Sequence, residues 1–224
     1  MADVIGRIAD LVASGPTPDP DARAVMEMSI LDWMACGIAG ADEPVARATR
    51  AAATAGGCAP VFGARELYPV GYAAQINGAT SHALDYDDTH FAYIGHPSVV
   101  ILPVVMALMH DRDGDIVLPA LIGAEVAVRV GLWLGRSHYQ AGFHQTATAG
   151  AFGGFAAAGY ILGLSAQQMR MGFGVVASRA GGLKAQFGTM AKPMTAGFAA
   201  QAAVGSALLN QHAATASPDA PGRD

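Results

Sequence analysis

The stretch Ala147–Leu164, ATAGAFGGFAAAGYILGL, decides the fold of this chain. Its 18 residues carry no charge, which raises the question of whether it crosses a membrane. Most of the stretch is alanine and glycine, however, and these residues enter lipid far less readily than leucine or isoleucine. His144 and Gln145 stand directly before it. The stretch therefore predicts a buried helix that packs closely through small residues, rather than a membrane span.

Helical periodicity extends outward from this stretch in both directions. Apolar positions recur at helical spacing in several segments, whereas Cys58–Val70 is broken by proline and glycine. The predicted helices cover Ala2–Ser14, Asp21 up to the stop at Gly40, Pro44–Ala55, Ser98–His110, Ile116–Leu134, Ala166–Ala180 behind an N-cap at Ser165, and Met194–Leu209. The pattern predicts few strands and an all-α, helical bundle-like fold.

No linker divides the 224 residues, so we expect one helical domain over residues 1–210. Residues 211–224 are polar and rich in alanine, serine, proline and aspartate, and are expected to form a disordered tail.

Composition restricts the partners. Hydrophobic residues make up 52% of the chain and charged residues only 14%, which suggests that some surface is covered by another protein. The formal charge is −5 and the 13 basic residues are scattered, so we expect no nucleic acid partner. Two cysteines without a CxxC or zinc pattern and no recognisable signal peptide favour a cytoplasmic protein.

Chemistry concentrates in Gln75–Val100, QINGATSHALDYDDTHFAYIGHPSVV, which holds three histidines and three aspartates. If Ala73–Asp85 forms a helix, His82 and Asp85 share a face at i,i+3. If the helix continues, Asp85 and Thr89 share that face at i,i+4. These groups could then bind one ligand. The alternative is a solvated acidic turn. The spacing of the acidic residues also matches no calcium-binding loop, so we predict no metal site.

Further candidates lie at the starts of predicted helices. Gly95 breaks the chain before His96-Pro97-Ser98, where proline begins a helix whose free amides favour an anion. His144 opens the alanine and glycine helix. The chain's two lysines, Lys184 and Lys192, both lie in Gly181–Gly197, and Lys192 precedes Pro193 at another helix start. Lys192 is therefore a candidate anion clamp, although a surface loop would also accommodate it.

Four segments together resemble the MmgE/PrpD family in order and spacing. They are LDWMACGIAG (Leu31–Gly40), NGATSHALDYDDTH (Asn77–His90), HPSVVILPVVMAL (His96–Leu108) and GTMAKPMTAGFAA (Gly188–Ala200). The family includes 2-methylcitrate dehydratase, cis-aconitate decarboxylase and iminodisuccinate epimerase. The resemblance implies the family's large N-terminal helical domain, found in homodimers, with a site for small di- and tricarboxylates that uses acid/base chemistry without a metal or cofactor.

By motif position, the resemblance implies that the active-site residues are Asp85, Thr89, His96, His144 and Lys192. His96 is the first candidate for the base, because imidazole titrates near neutrality. Lys192 and His144 would hold substrate carboxylates, and Asp85 and Thr89 would orient a histidine or the substrate, with Asp85 a second acid/base candidate. Lys184 and His82 complete the substrate-binding candidates.

The chain departs from the family pattern in two respects. Thr195 stands where the family usually has a histidine, two residues after Lys-Pro. Family members also continue into an α+β lid domain, and we expect this chain to lack it. We therefore expect a lyase, a dehydratase or decarboxylase acting on an acid such as 2-methylcitrate or cis-aconitate. The alternatives are a dicarboxylate epimerase and a non-catalytic or split-enzyme subunit whose lid is on a second chain.

Overall fold

Nine α-helices make up the part of the chain that the computed structural model describes, residues 2–217. No strand forms within these residues, where only isolated antiparallel bridges pair the backbone. The all-α prediction is confirmed. The helices are α1 (Ala2–Ser14), α2 (Pro20–Ala39), α3 (Pro44–Ala51), α4 (Val70–Ser81), α5 (Ser98–Met109), α6 (Val117–Gln140), α7 (Gln145–Ile161), α8 (Ala166–Ala177) and α9 (Ala191–Gln211).

Helix α7 lies at the centre of the molecule, as its composition predicted. Its residues from Gln145 to Gly159 are all buried, and it packs against α5, α6, α8 and α9. Glycine allows the closest of these approaches, since a Cβ at Gly153 would lie 2.4 Å from the carbonyl oxygen of Gly123 in α6. A small-residue helix therefore forms the core around which the other helices pack.

A second close crossing, between α4 and α9, positions the candidate site. A Cβ at Gly197 in α9 would lie 2.3 Å from the carbonyl oxygen of Gln75, and one at Gly78 would lie 2.9 Å from the Cα of Gly197. Only glycine permits backbones to approach this closely. The crossing brings the first turn of α9, which carries Lys192, to the residues that follow α4.

The end of α4 differs from the prediction. The helix ends at Ser81 with His82 as its C-cap, and Asp85 has a left-handed backbone (φ 59°) that cannot continue a right-handed helix. The predicted helix to Asp85 is therefore wrong in its last turn. The acidic string forms a loop, and its side chains converge through loop geometry rather than by sharing a helical face.

Helix α6 breaks where the sequence predicted its end. Gly135 adopts φ 67° and ψ −178°, and the helical turns from Arg136 to Gln140 continue in a new direction. Glycine is the residue that takes this conformation without strain. The break directs Arg136 and Tyr139 towards the candidate site, where both line the same cleft.

Helix α2 leaves an apolar face uncovered, with Val25, Met28, Leu31 and Ile38 all at least 60% exposed. Helices α2 and α6 are long and apolar enough to span a membrane, a test that core helices of soluble proteins also pass.

Beyond α9, Ala216 and Ser217 lie against Gly174 of α8. The remainder of the predicted tail, residues 218–224, lies outside the described residues.

Candidate active site

A buried carboxylate organises the site. Asp87 is 3% exposed, and it accepts hydrogen bonds from Nδ1 of His82 at 2.9 Å and from Nδ1 of His96 at 2.8 Å. Both imidazoles therefore direct the same nitrogen at one carboxylate. This arrangement fixes each ring and leaves Nε2 of His96 as the nitrogen available for chemistry.

The same contacts shift the proton affinities of Asp87 and His96. Burial acts to raise the pKa of Asp87, but hydrogen bonds from His82 and His96 outweigh burial and hold that pKa well below its usual range. Burial acts to lower the pKa of His96, but the hydrogen bond to Asp87 and the negative charges of Asp87 and Asp85 together outweigh it and raise the pKa above the ordinary histidine value. His96 is thus the stronger base because an ionised aspartate lies behind it.

Two contacts hold His96 beside α7. Its backbone N–H donates to Oγ1 of Thr146 at 3.1 Å, and the fully buried Tyr93 donates its hydroxyl to the carbonyl oxygen of Thr146 at 2.8 Å. Both acceptor atoms belong to Thr146, in the first turn of α7 and two residues after His144. The loop that carries His96 is therefore fastened to the helix that carries His144.

Asp85 and Lys192 form an ion pair at the edge of this cluster. The Lys192 ammonium donates to Oδ1 of Asp85, and the same oxygen lies 3.6 Å from Nε2 of His96. The Lys192 side chain is 14% exposed and that of Asp85 53%. Partial burial acts to raise the pKa of Asp85, but the hydrogen bond from Lys192 and the charges of Lys192 and the neighbouring histidines together outweigh it and lower the pKa.

His144 occupies a different environment. It is the N-cap residue of α7, it is 3% exposed, and its Nδ1 lies 2.9 Å from Oγ1 of Thr195 in α9. The ring stacks on His82 and meets the edge of Phe187. Burial and the neighbouring charged groups lower the pKa of His144 to about 3, so this imidazole is neutral at physiological pH.

His96, His144 and Lys192 line a cleft of ≈ 290 Å³, which is large enough for a molecule of citrate's size. The buried His82 and Asp87, and the neighbouring Asp85, do not line it. The residues that line it include Thr89, His96, Arg136, Tyr139, His144, Phe187 and Lys192.

The donor set also has the composition of a metal site, because ligand atoms of His82, Asp85, Asp87 and His96 lie within 4.8 Å of one another. The Lys192 ammonium is bonded to Asp85 inside this set, however, and would repel a divalent ion there. Both Nδ1 atoms are already directed at Asp87. These residues therefore fit a hydrogen-bonded acid/base cluster better than a metal centre, and the lysine supplies the positive charge.

The structure brings together most of the residues selected from the sequence. His82, Asp85, His96, His144 and Lys192 form one cluster, and Thr89 is exposed at the cleft.

Lys184 takes a different position. Its ammonium donates to the carbonyl oxygen of Tyr139 at 3.0 Å and lies 3.6 Å from the centre of the Tyr139 ring. Lys184 is not among the residues that line the cleft. It holds the end of α6 against the loop before α9.

The amides at the start of α5 are also used differently from the prediction. Asp88 accepts from the backbone N–H of Ser98 at 3.2 Å and from its hydroxyl at 2.6 Å. A carboxylate of this chain therefore occupies the position that the sequence suggested for a bound anion. Asp88 thereby stabilises the start of α5.

Sequence reasoning did not select Asp87 or Thr195 as site residues. Asp87 belonged to an acidic run in which nothing distinguishes the buried member from its neighbours. Thr195 was noticed only as a departure from the family pattern, and its contact with His144 joins residues 51 positions apart.

Comparison with known proteins agrees with the resemblance read from the motifs. The model of the MmgE/PrpD N-terminal domain matches residues 6–221. Cis-aconitate decarboxylase of Aspergillus terreus is 33% identical over 194 residues, covering 80% of this chain and 39% of that enzyme. The human cis-aconitate decarboxylase is 33% identical over 149 residues, covering 63% of this chain and 31% of that enzyme.

The mouse cis-aconitate decarboxylase is also 33% identical, over 147 residues that cover 59% of this chain and 29% of that enzyme. The chain thus aligns with less than half the length of each of these relatives. The domain match nevertheless spans nearly all of its residues, and the helical architecture and the segments around the cleft agree with it. The chain therefore belongs to the MmgE/PrpD family, through that family's N-terminal domain.

Proposed function

We propose that this chain carries the acid/base site of a lyase that removes water or carbon dioxide from a small di- or tricarboxylic acid. The observation that supports it best is that His96, His144 and Lys192 line one cleft, with Asp85 paired to Lys192 beside them. They come from the loop after α4 and from the starts of α7 and α9. Similarity to enzymes named cis-aconitate decarboxylase supports the same reaction class.

In this proposal His96 transfers the proton. Its Nε2 removes a proton from the carbon next to a substrate carboxylate, or returns one to the carbanion that remains after carbon dioxide leaves. Asp87 accepts from Nδ1 throughout, so it keeps the ring oriented and stabilises the imidazolium that forms. No metal is needed for this step because the charge is offset by protein groups.

Positive side chains at the cleft account for the choice of an anionic substrate. Lys192 and the exposed Arg136 both line it, at its α9 and α6 sides. Their charges would bind carboxylates and stabilise the enolate-like transition state. Asp85 holds the Lys192 ammonium in place from the loop that also carries His96.

The proposal also includes a lid domain and a second subunit. A cleft open on one side leaves its acid/base groups wet, and enclosure would strengthen them. We propose that a lid domain, in the same protein or on a second chain, completes the site. We also propose a cytoplasmic homodimer that buries the apolar face of α2, and a monomeric mass in light scattering at micromolar concentration would refute that dimer.

The test is a substrate screen of purified protein followed by NMR in deuterated water. Citrate, 2-methylcitrate, cis-aconitate and iminodisuccinate are incubated with wild type, His96→Gln and His212→Gln. We expect loss of water or carbon dioxide with wild type and with His212→Gln, because His212 lies at the far end of α9, and about 10²- to 10⁴-fold less with His96→Gln.

Each product would identify a different reaction. Epimerisation would give deuterium at carbon without loss of water or carbon dioxide. Wild type that neither turns over nor exchanges any of these acids, alone or with an added lid chain, would refute the lyase and favour a non-catalytic domain. Equal turnover by His96→Gln would refute His96 as the base.

A further inference from the structure

Thr195 joins His144 to the first turn of α9. Its Oγ1 lies 2.7 Å from the carbonyl oxygen of Lys192, three residues earlier, and 2.9 Å from Nδ1 of His144. A carbonyl oxygen carries no proton, so the threonine hydroxyl must donate to it. The Thr195 oxygen can therefore only accept a hydrogen bond from His144.

The protonation of His144 follows from this geometry. Because Oγ1 of Thr195 can only accept, Nδ1 of His144 must carry the proton that lies between them. A neutral imidazole has one N–H, so Nε2 of His144 carries a lone pair. His144 lines the cleft, and Nδ1 is already engaged, which leaves Nε2 as the nitrogen for a ligand.

We propose that Thr195 is a positioning residue that fixes His144 as a hydrogen-bond acceptor, and that the cleft therefore prefers a polycarboxylate bearing a hydroxyl group. The second part rests on the proposed function. A ligand hydroxyl can donate to Nε2, whereas a carboxylate oxygen placed there would face a lone pair and be repelled. This assigns His144 a different role from the carboxylate contact that the family resemblance implied.

Two further observations agree with an acceptor role. His144 is 3% exposed and sits at the positive end of α7, and both features oppose the cationic form, in which Nε2 would donate. The pKa of His144 is lowered to about 3 accordingly. The carboxylates of the ligand would instead meet Lys192 and Arg136, which also line the cleft.

The tautomer is measured directly by NMR of the full chain with ¹⁵N-labelled histidine, using His144→Asn to assign the signals. The two nitrogens of a neutral imidazole differ clearly in ¹⁵N shift according to which one is protonated. We expect the Nδ1–H form of His144 in wild type and in Thr195→Ser, which keeps the hydroxyl. Thr195→Val removes the acceptor and should shift His144 towards the Nε2–H form.

An Nε2–H tautomer in wild type, or an unchanged Nδ1–H tautomer in Thr195→Val, would overturn the role of Thr195. Unchanged signals of His110 and His212 in each variant would establish that the fold is kept. If Thr195→Val does not fold, the comparison of wild type with Thr195→Ser and Thr195→Ala carries the same test, because only the serine retains the oxygen.

Ligand preference is measured by calorimetry with citrate and tricarballylate, which share a carbon skeleton and differ by one hydroxyl. We expect wild type and Thr195→Ser to bind citrate about tenfold more tightly, and Thr195→Val to bind the two about equally. Equal binding of both acids by wild type would overturn the hydroxyl preference. Binding of neither would refute the proposed function, while the tautomer would still decide the role of Thr195.

Discussion

His96 and His144 lie close to the same buried ring, at centroid distances of 4.7 Å and 6.1 Å from His82, yet their proton affinities shift in opposite directions. Burial acts to lower the pKa of both. His96 faces the ionised Asp87, which outweighs burial, whereas His144 faces the uncharged hydroxyl of Thr195 at the positive end of a helix. The partner of Nδ1, rather than burial, thus separates a base from a neutral acceptor.

The largest expected effect comes from removing the carboxylate that distinguishes His96. Asp87→Asn keeps the size of the side chain but removes its charge, so we expect the pKa of His96 to fall and turnover to fall by about 10²- to 10⁴-fold. The measurements are the NMR titration of His96 and the pH profile of turnover. Asp88→Asn is the matched control, because Asp88 bonds Ser98 and not a histidine. A wild-type His96 titration in Asp87→Asn would contradict the comparison.

The sequence alone predicts only part of this difference between His96 and His144. Periodicity placed the helices well, because a helix such as α7 must bury a recurring set of small or apolar residues wherever it packs. It also placed a helix end at Leu134, next to the break that α6 makes at Gly135, but it did not predict the turns that continue to Gln140. Periodicity could not identify Asp87, because buried and exposed residues in a loop follow no repeat. The left-handed backbone at Asp85 is likewise a loop conformation that no periodic pattern predicts.

The second expected effect concerns the two lysines, which lie eight positions apart in sequence and have different partners. Lys192→Met removes the charge bonded to Asp85 at the cleft, so we expect KM for a tricarboxylate to rise by about 10- to 100-fold. Lys184→Met breaks a contact with the Tyr139 carbonyl outside the cleft and should raise KM much less. Steady-state kinetics on both variants tests this, and equal increases would show that Lys184 also contacts substrate.

The smallest expected effect is on stability, where the two histidines should give opposite dependence on pH. The pKa of His96 is raised on folding, so its contribution is fully present below the unfolded value of about 6.5 and is lost as pH rises through the folded pKa. The pKa of His144 falls to about 3 on folding, so between about pH 3 and 6.5 only the unfolded chain takes up this proton. Protonation of His144 therefore opposes folding in acid.

Urea unfolding of variants between pH 5 and 8 separates these contributions. Asp85 and Asp87 have lowered pKa values and remain ionised throughout this range, so they do not mask the histidines. Relative to wild type, His144→Asn should gain stability as pH falls from 6.5 to 5, by up to about 1.4 kcal/mol per pH unit. His96→Gln should instead lose stability relative to wild type as pH falls from 8 towards 6.5, through the raised folded pKa of His96, and should change little from 6.5 to 5. If the free energy of unfolding relative to wild type changed with pH in the same way for both variants, removing either imidazole would have the same effect on proton uptake. The partners of Nδ1 would then not explain why the two histidines differ.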